Sequence, residues 1–187
     1  MKKFELTNEF ITNRFRTKLF RIRALVEFGD VEAGELGGYV EKESNLGHDD
    51  NAWVYDNAWV YGDAQVSGDA LVYGNARVYD NAWVYGNAQV SGDARVCGDA
   101  RVCGNGDYAY AHGFGSVNRT TTFFRLKDGG AGVRCGCFYG TLAQFRDKIR
   151  ETHGETKKAQ EYLMLADLME LRFEEDENEV GNRKYVE

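Results

Sequence analysis

The sequence contains no proline and only three histidines, His48, His112 and His153. Without proline there is no rigid linker between domains, so the 187 residues are expected to form one domain, or one solenoid with a small appendage. No apolar run approaches the ~18 residues that a membrane-crossing helix needs. The start, MKKFELTNEF, has two lysines but lacks the apolar core of a signal peptide. We therefore expect a cytoplasmic protein with no membrane partner. Basic charge is scarce as well: 23 Lys and Arg against 30 Asp and Glu leave a net charge of -7. That balance argues against a general surface for nucleic-acid polymers and leaves room for a local basic pocket. Cysteine is limited to Cys97, Cys103, Cys135 and Cys137. Cys97 and Cys103 are expected on different edges of one coil, pointing outward. Cys135 and Cys137 are expected on one side of a single strand. Neither spacing is a Cys-x-x-Cys knuckle, so free thiols and no metal are the expectation. No P-loop, dinucleotide fingerprint or Ser-His-Asp signature points to a cofactor or a hydrolase, and no cofactor is expected.

What is present is repetition. Residues 51–104 are nine consecutive hexapeptides, NAWVYD through DARVCG, without insertion. The second position is always Ala, from Ala52 to Ala100, and the fourth always Val, from Val54 to Val102. Residues two apart share one face of a strand, so Ala and Val point inward and positions three and five point out. Gly or Asp followed by Asn or Asp is turn chemistry, tolerant of positive φ. Six residues per edge suit a triangular coil of 18, and nine units make three coils, about 14 Å of stacked backbone. The spacing from Val54 to Ala58 and from Val60 to Ala64 resembles the hexapeptide repeat of left-handed β-helix proteins. The left hand is implied by that resemblance alone, since the general crossover rule favours the right.

An 18-residue period stacks outward side chains into lines. Trp59, Arg77 and Arg95 form one such line, and Tyr61, Tyr79 and Cys97 another. Trp53, Trp83 and Tyr85 are also expected on the outside. An aromatic wall of this extent implies a partner, most simply further copies of the chain, with a homotrimer favoured. The competing reading is that Tyr and Trp merely fit a pleated surface.

Residues 1–35 are expected to cap the open end of the solenoid, with Phe20, Ile22 and Ala24 or their neighbours buried. Residues 36–115 are expected to form the β-helix. Val40 and Leu46 mark two degenerate hexapeptides, Gly47–Asp50 bulge from a corner, and 105–115 close the prism as an irregular coil. Residues 116–173 form an α+β appendage. Strands at Thr120–Lys127 and Gly132–Tyr139 flank a turn at Asp128–Ala131. The Thr141-x-x-Gln144 capping box opens a helix through about His153, with Leu142, Phe145 and Ile149 as its apolar stripe and Gly154 as its stop. A second helix spans about Thr156–Phe173, with Ala159, Tyr162, Leu163, Ala166 and Met169 inward. An acidic tail occupies 174–187.

The run Asp30-Val31-Glu32-Ala33-Gly34, then Gly37-Gly38-Tyr39-Val40, Asn45-Leu46 and Trp53-Val54-Tyr55-Asp56, resembles the opening of YdcK-type hexapeptide-repeat proteins. It is also similar to small hexapeptide proteins of phages and prophages of Firmicutes, over nearly the whole chain. The resemblance implies a left-handed β-helix and little about activity.

Three functions fit the residues. Acyl transfer by acyl-CoA is the activity that left-handed β-helix acyltransferases imply, with a His base. The repeats here contain no His, so only His48, in a Gly-His-Asp-Asp corner, or His112 could serve, and solvated loop histidines are the plainer reading. Asp49 and Asp50 are read as turn formers. The second function is capture of a small anionic, nucleotide-like ligand without catalysis. Arg77, Arg95 and Arg101 would bind it, with Tyr79, Trp83 and Tyr85 as stacking surfaces. Arg119, Arg125 and Arg134 follow nearby in sequence. The phage-type resemblance suggests sequestration of a nucleotide signal of host immunity. The same arginines could instead pair with carboxylates in an oligomer interface. The third function is a structural oligomeric scaffold without ligand.

Overall fold

A computed structural model of the chain describes residues 1–115 and 117–174, so most of the expected acidic tail lies outside the described residues. β1 (Phe4–Thr12) and β2 (Lys18–Ala24) form an antiparallel hairpin, and β3 (Leu36–Val40) pairs antiparallel with β2. Nine two-residue strands follow, one per hexapeptide: β4 (Trp53–Val54), β5 (Trp59–Val60), β6 (Gln65–Val66), β7 (Leu71–Val72), β8 (Arg77–Val78), β9 (Trp83–Val84), β10 (Gln89–Val90), β11 (Arg95–Val96) and β12 (Arg101–Val102). They stack in parallel into three faces, β3-β5-β8-β11, β4-β7-β10 and β6-β9-β12, which together form a β-solenoid of about four turns.

The expected period sets the register. Val60 pairs with Val78 and Val78 with Val96, and the other faces keep the same 18-residue offset. Every Ala and Val of the nine units is fully buried. Each buried Val contributes roughly 1.5–3 kcal/mol of hydrophobic stabilisation. The corners explain the sixth position: Gly68 has φ +68° and Gly74 +71°, while Asp56 and Asp80 take φ +52° and +60°. At Gly68 a Cβ would sit 3.0 Å from the backbone N and O of Gly86 in the next coil, so glycine is required there by space as well as by φ. The coil begins two edges before the perfect repeats, with β3 and Leu46. Leu46 bridges to Val66 and the Gly47 amide donates to the Val66 carbonyl at 2.8 Å, so Gly47 stays in the ladder rather than in the expected bulge, and the chain bends over residues 48–51.

The N-terminal cap buries Phe4, Leu19, Ile22, Ala24 and Val31. Leu19 is fully buried, whereas its neighbour Phe20 is half-buried, its ring 6.0 Å from that of Phe10. The cap also corrects one expectation. Trp53, at an outward position, is 0 % exposed, with Phe28 edge-on at 5.3 Å and Phe4 at 6.2 Å. Gly37 lies against it so closely that a Cβ would come within 2.8 Å of the indole. The first of the outward tryptophans is thus covered within the protomer.

Lys3 closes the same end. It is 3 % exposed, and its ammonium donates to the carbonyls of Asp50 at 2.5 Å and Ala52 at 2.9 Å, groups that have no coil above them. Burial pushes its pKa down to about 8, against the pull of Asp50 and Asp49. Between about 8 and the ordinary 10.5 the unfolded chain therefore binds more protons than the folded one, so this group makes stability rise with pH across that window. Denaturant melts of wild type and Lys3→Met from pH 7 to 10.5 should show the rise in wild type and a flatter profile in the variant. Parallel profiles would remove Lys3 as its source.

At the other end the structure departs from the sequence reading. The inward position after Val102 is occupied by Tyr108, whose hydroxyl donates to the Gln89 carbonyl at 2.6 Å and plugs the coil. From there the chain leaves the solenoid. β13 (Tyr108–Phe114) pairs antiparallel with β14 (Arg119–Arg125), followed by β15 (Ala131–Cys135) and β16 (Phe138–Thr141). The expected irregular coil at 105–115 is therefore a short 3-10 turn plus the first strand of a four-stranded sheet, and the expected hairpin is its middle. Alternation survives in both arrangements; without Val at the inward position the strand takes a different partner. The expected Gly132–Tyr139 strand is broken by a turn at Gly136 (φ +59°), so Cys135 and Cys137 do not share a strand face.

This sheet has two packed faces. Phe124 and Tyr108 cover the end of the coil, while Phe123 and Val133 pack on helices α1 (Leu142–His153) and α2 (Lys157–Phe173). The capping box is formed as expected: the Thr141 amide donates to Gln144 Oε1 at 2.9 Å and the Gln144 amide to Thr141 Oγ1 at 3.3 Å. Leu142, Phe145 and Ile149 are buried, as are Ala159, Tyr162, Ala166 and Met169. Docking onto the coil uses the Arg95 amide to Thr122 Oγ1 at 2.9 Å and the Lys127 amide to the Asp99 carbonyl at 3.0 Å. It also uses the buried Arg125–Asp107 ion pair at 3.1 Å.

Candidate functional site

The two caps reach over the same face of the solenoid, the one built from β3, β5, β8 and β11. Between them lies a cavity of about 280 Å³. The coil supplies Trp59, Tyr61, Arg77, Tyr79 and Arg95; the β1–β2 turn supplies Asn13, Arg14 and Phe15; β15 supplies Arg134. Among the described residues, four guanidiniums line it and no carboxylate does. Among the described residues, none of the four takes part in an ion pair.

The repeat dictates the coil side of this site. Arg77 and Arg95 occupy the same position of units 18 residues apart and stand opposite each other in neighbouring strands. Arg77 Cζ lies 4.0 Å from the centre of the Trp59 ring, one coil earlier. Tyr61 and Tyr79 stack with their rings 5.0 Å apart and 3° from parallel. Arg134 Cζ is 5.9 Å from the Tyr79 ring. A guanidinium stacked on a ring keeps its N–H edge free for an in-plane acceptor.

The electrostatics favour an anion. Burial first, and the neighbouring Arg95 second, push the Arg77 guanidinium below its ordinary pKa. Among the described residues, two donor atoms of the lining side chains are buried without a partner, Asn13 Nδ2 and Arg134 Nε. Asn13 Oδ1 is already committed, accepting from the Phe15 amide at 2.9 Å and the Thr17 amide at 3.0 Å. Buried orphan donors are costly, and an acceptor from outside would satisfy them. Burial raises the Tyr79 hydroxyl well above its usual pKa and pushes the Cys97 thiol up to about 11.

The six residues expected to bind ligand divide into two groups. Arg77, Arg95 and Tyr79 meet in the cavity. Arg101, Trp83 and Tyr85 sit on the β6-β9-β12 face, because a step of six residues moves one edge round the prism. There Arg101 Cζ stacks 4.5 Å from the Trp83 ring, and its Nη1 donates to the carbonyls of Asn81 and Ala100. Sequence reasoning missed Trp59 and Tyr61 as site residues, although the ladder spacing placed both beside Arg77 and Tyr79. It also missed Asn13, Arg14 and Phe15, for which no periodic signal exists. Of the arginines flagged downstream, Arg134 joins the site, whereas Arg125 is spent on Asp107.

The remaining candidates lie elsewhere. His48 lines an open groove of about 410 Å³ with Glu43 and Asp49. Its Nδ1 accepts from the Lys3 amide at 3.3 Å and its ring stacks 4.4 Å from Phe4, so it serves the cap. His112 Nδ1 pairs with Thr120 Oγ1 at 2.9 Å. Cys97 was expected outward, yet it is buried beneath the C-terminal sheet; Cys103 and Cys137 are exposed, and no disulfide links the four. Among the described residues, no three His, Cys, Asp or Glu side chains are grouped to hold a metal ion, and no helix is long and apolar enough to cross a membrane.

A family model of the YdcK beta solenoid repeat matches residues 64–78, 70–86, 76–92 and 88–104. These windows contain Arg77, Tyr79 and Arg95, whereas Trp59 and Tyr61 of the same wall lie before the first of them. No curated protein matches the chain.

Proposed function

We propose that this chain is a non-catalytic binding protein that captures a small anionic, nucleotide-like ligand in the cavity between its caps, acting in the cytoplasm. The observation that carries the reading is the cavity wall: four arginines and two orphaned buried donors with no carboxylate among them. Like charges held this close repel unless an anion sits between them. Among the described residues, neither Arg77 nor Arg95 takes part in an ion pair, which favours an anion over the competing assignment of these arginines to carboxylates in an oligomer interface. A nucleotide signal of host immunity is the ligand suggested by the phage-type resemblance. Equilibrium dialysis of the intact protein against a panel of nucleotides, then denaturation and mass spectrometry of what is released, tests capture directly. Retention of a nucleotide that is released unchanged is expected; retention of none, or release of a cleaved product, would contradict capture.

A second reading, acyl transfer, draws on His48 in its groove beside Glu43 and Asp49. It predicts acetyl-CoA turnover that disappears in His48→Ala. We expect no turnover in wild type, since His48 is held by Lys3 and Phe4.

Self-association, a trimer first, is also proposed. Much of the aromatic wall is covered within the protomer, so its support now rests on Trp83, 39 % exposed, and on Met164, Leu168 and Leu171, exposed along one side of α2. Sedimentation at micromolar concentration should show an oligomer; a compact monomer would contradict it.

A further inference from the structure

The cavity has two chemically distinct parts. Its coil and sheet walls supply the guanidiniums of Arg77, Arg95 and Arg134. Its lip is the β1–β2 turn, which supplies Arg14 and Phe15. The turn is built to present them. Asn13 Oδ1 holds the amides of Phe15 and Thr17, the Arg16 amide donates to the Asn13 carbonyl at 3.0 Å, and Arg16 takes φ +65°, unusual for a side chain of its size. Nothing in the solenoid core requires this arrangement.

The other aromatic rings of the site are occupied. Tyr61 and Tyr79 stack on each other, and Arg77 covers a face of Trp59. Phe15 is different. Arg14 Cζ lies 4.6 Å from its ring on one side, and the residue is 67 % exposed. A cavity of about 280 Å³ is also small. Sites that enclose a whole drug-sized ligand span about 300–1,000 Å³. A ligand that carries phosphates and a planar ring would therefore place the phosphates inside and the ring at the mouth.

We infer that the site takes a nucleoside diphosphate in two parts: the phosphoryl end inside, against Arg77, Arg95 and Arg134, and the base at the lip, stacked on Phe15. This rests on the capture reading above. Phe15 is then the residue that separates a nucleotide from a bare phosphate, because stacking recognises any flat ring and ignores inorganic anions.

The test is calorimetric titration of ADP and of inorganic pyrophosphate into the intact wild-type, Phe15→Ala and Phe15→Trp proteins. Phe15 is exposed, so these substitutions leave the fold in place. Wild type should bind ADP about tenfold or more tightly than pyrophosphate, the scale of one base–aromatic stack. Phe15→Ala should lose that margin with pyrophosphate binding unchanged, and Phe15→Trp should restore it. Equal affinities for ADP and pyrophosphate in wild type, or an undiminished margin in Phe15→Ala, would overturn the ring subsite while leaving anion capture standing. Binding of neither probe to wild type would overturn both.

Discussion

The Val78→Asp protein is expected to be insoluble or unfolded. Val78 is 0 % exposed at the middle of the solenoid, paired with Val60 on one side and Val96 on the other. Its neighbours inside the coil are Ala and Val, with no cation to meet a carboxylate. Burying an unpaired charge costs several kcal/mol even after relaxation, against a typical total stability of about 5–15 kcal/mol. The break also lies between coils, so the stacks above and below lose their common edge. Val78→Thr is the control: it keeps the shape, buries one hydroxyl at a cost of about 1–3 kcal/mol, and should remain soluble with a lowered Tm. Soluble Val78→Asp protein with an unchanged far-ultraviolet circular dichroism spectrum would contradict the inward assignment of the fourth position.

Removing both coil arginines should have the opposite character, a large effect on ligand and a small one on fold. Arg77→Ala/Arg95→Ala deletes two charged donors from the cavity. Hydrogen bonds to charged groups contribute about 1.5–3 kcal/mol each, so nucleotide affinity should fall by about a hundredfold or more. Stability should hardly move. The variant loses the stacking of Arg77 on Trp59, about 0.5–1 kcal/mol, and gains relief from the repulsion between two half-buried cations. Those terms oppose each other, and a net change within about 1 kcal/mol shifts Tm by only about 2–4 °C in a chain of this size. A variant that falls apart instead would assign the pair to a structural interface.

Particular residues show how far the sequence could be read. The inward Ala and Val, the positive-φ corners from Asp56 to Gly98 and the Thr141 cap follow from local rules, period 2 in a strand and capping at a helix start, and all are found where those rules place them. Trp53 and Trp83 have the same position in the same motif, yet one is fully buried and the other exposed. The difference is set by which coil is the first, a property of the stack rather than of the hexapeptide. Cys97 is buried for the corresponding reason at the other end, where the sheet replaces the next coil. Tyr108–Phe114 alternates like a coil edge, and only its antiparallel partner, Arg119–Arg125, reveals which sheet it joins. Half of the candidate site was visible because an 18-residue ladder puts Arg77 over Arg95. The other half comes from Asn13–Phe15 and Arg134, more than 40 residues away from the nearest coil residue of the site in the first case and nearly 40 in the second. Contacts of that range leave no periodic trace.

The most direct measurement of the central claim is one paired calorimetric titration, nucleoside diphosphate into wild type and into Arg77→Ala/Arg95→Ala at equal protein concentration. The account predicts saturable binding of one ligand per chain in wild type and loss of that binding in a variant whose circular dichroism and melting curve match the parent. Absence of heat with wild type, or equal binding by the two proteins, would contradict the assignment of this cavity as an anion-capture site.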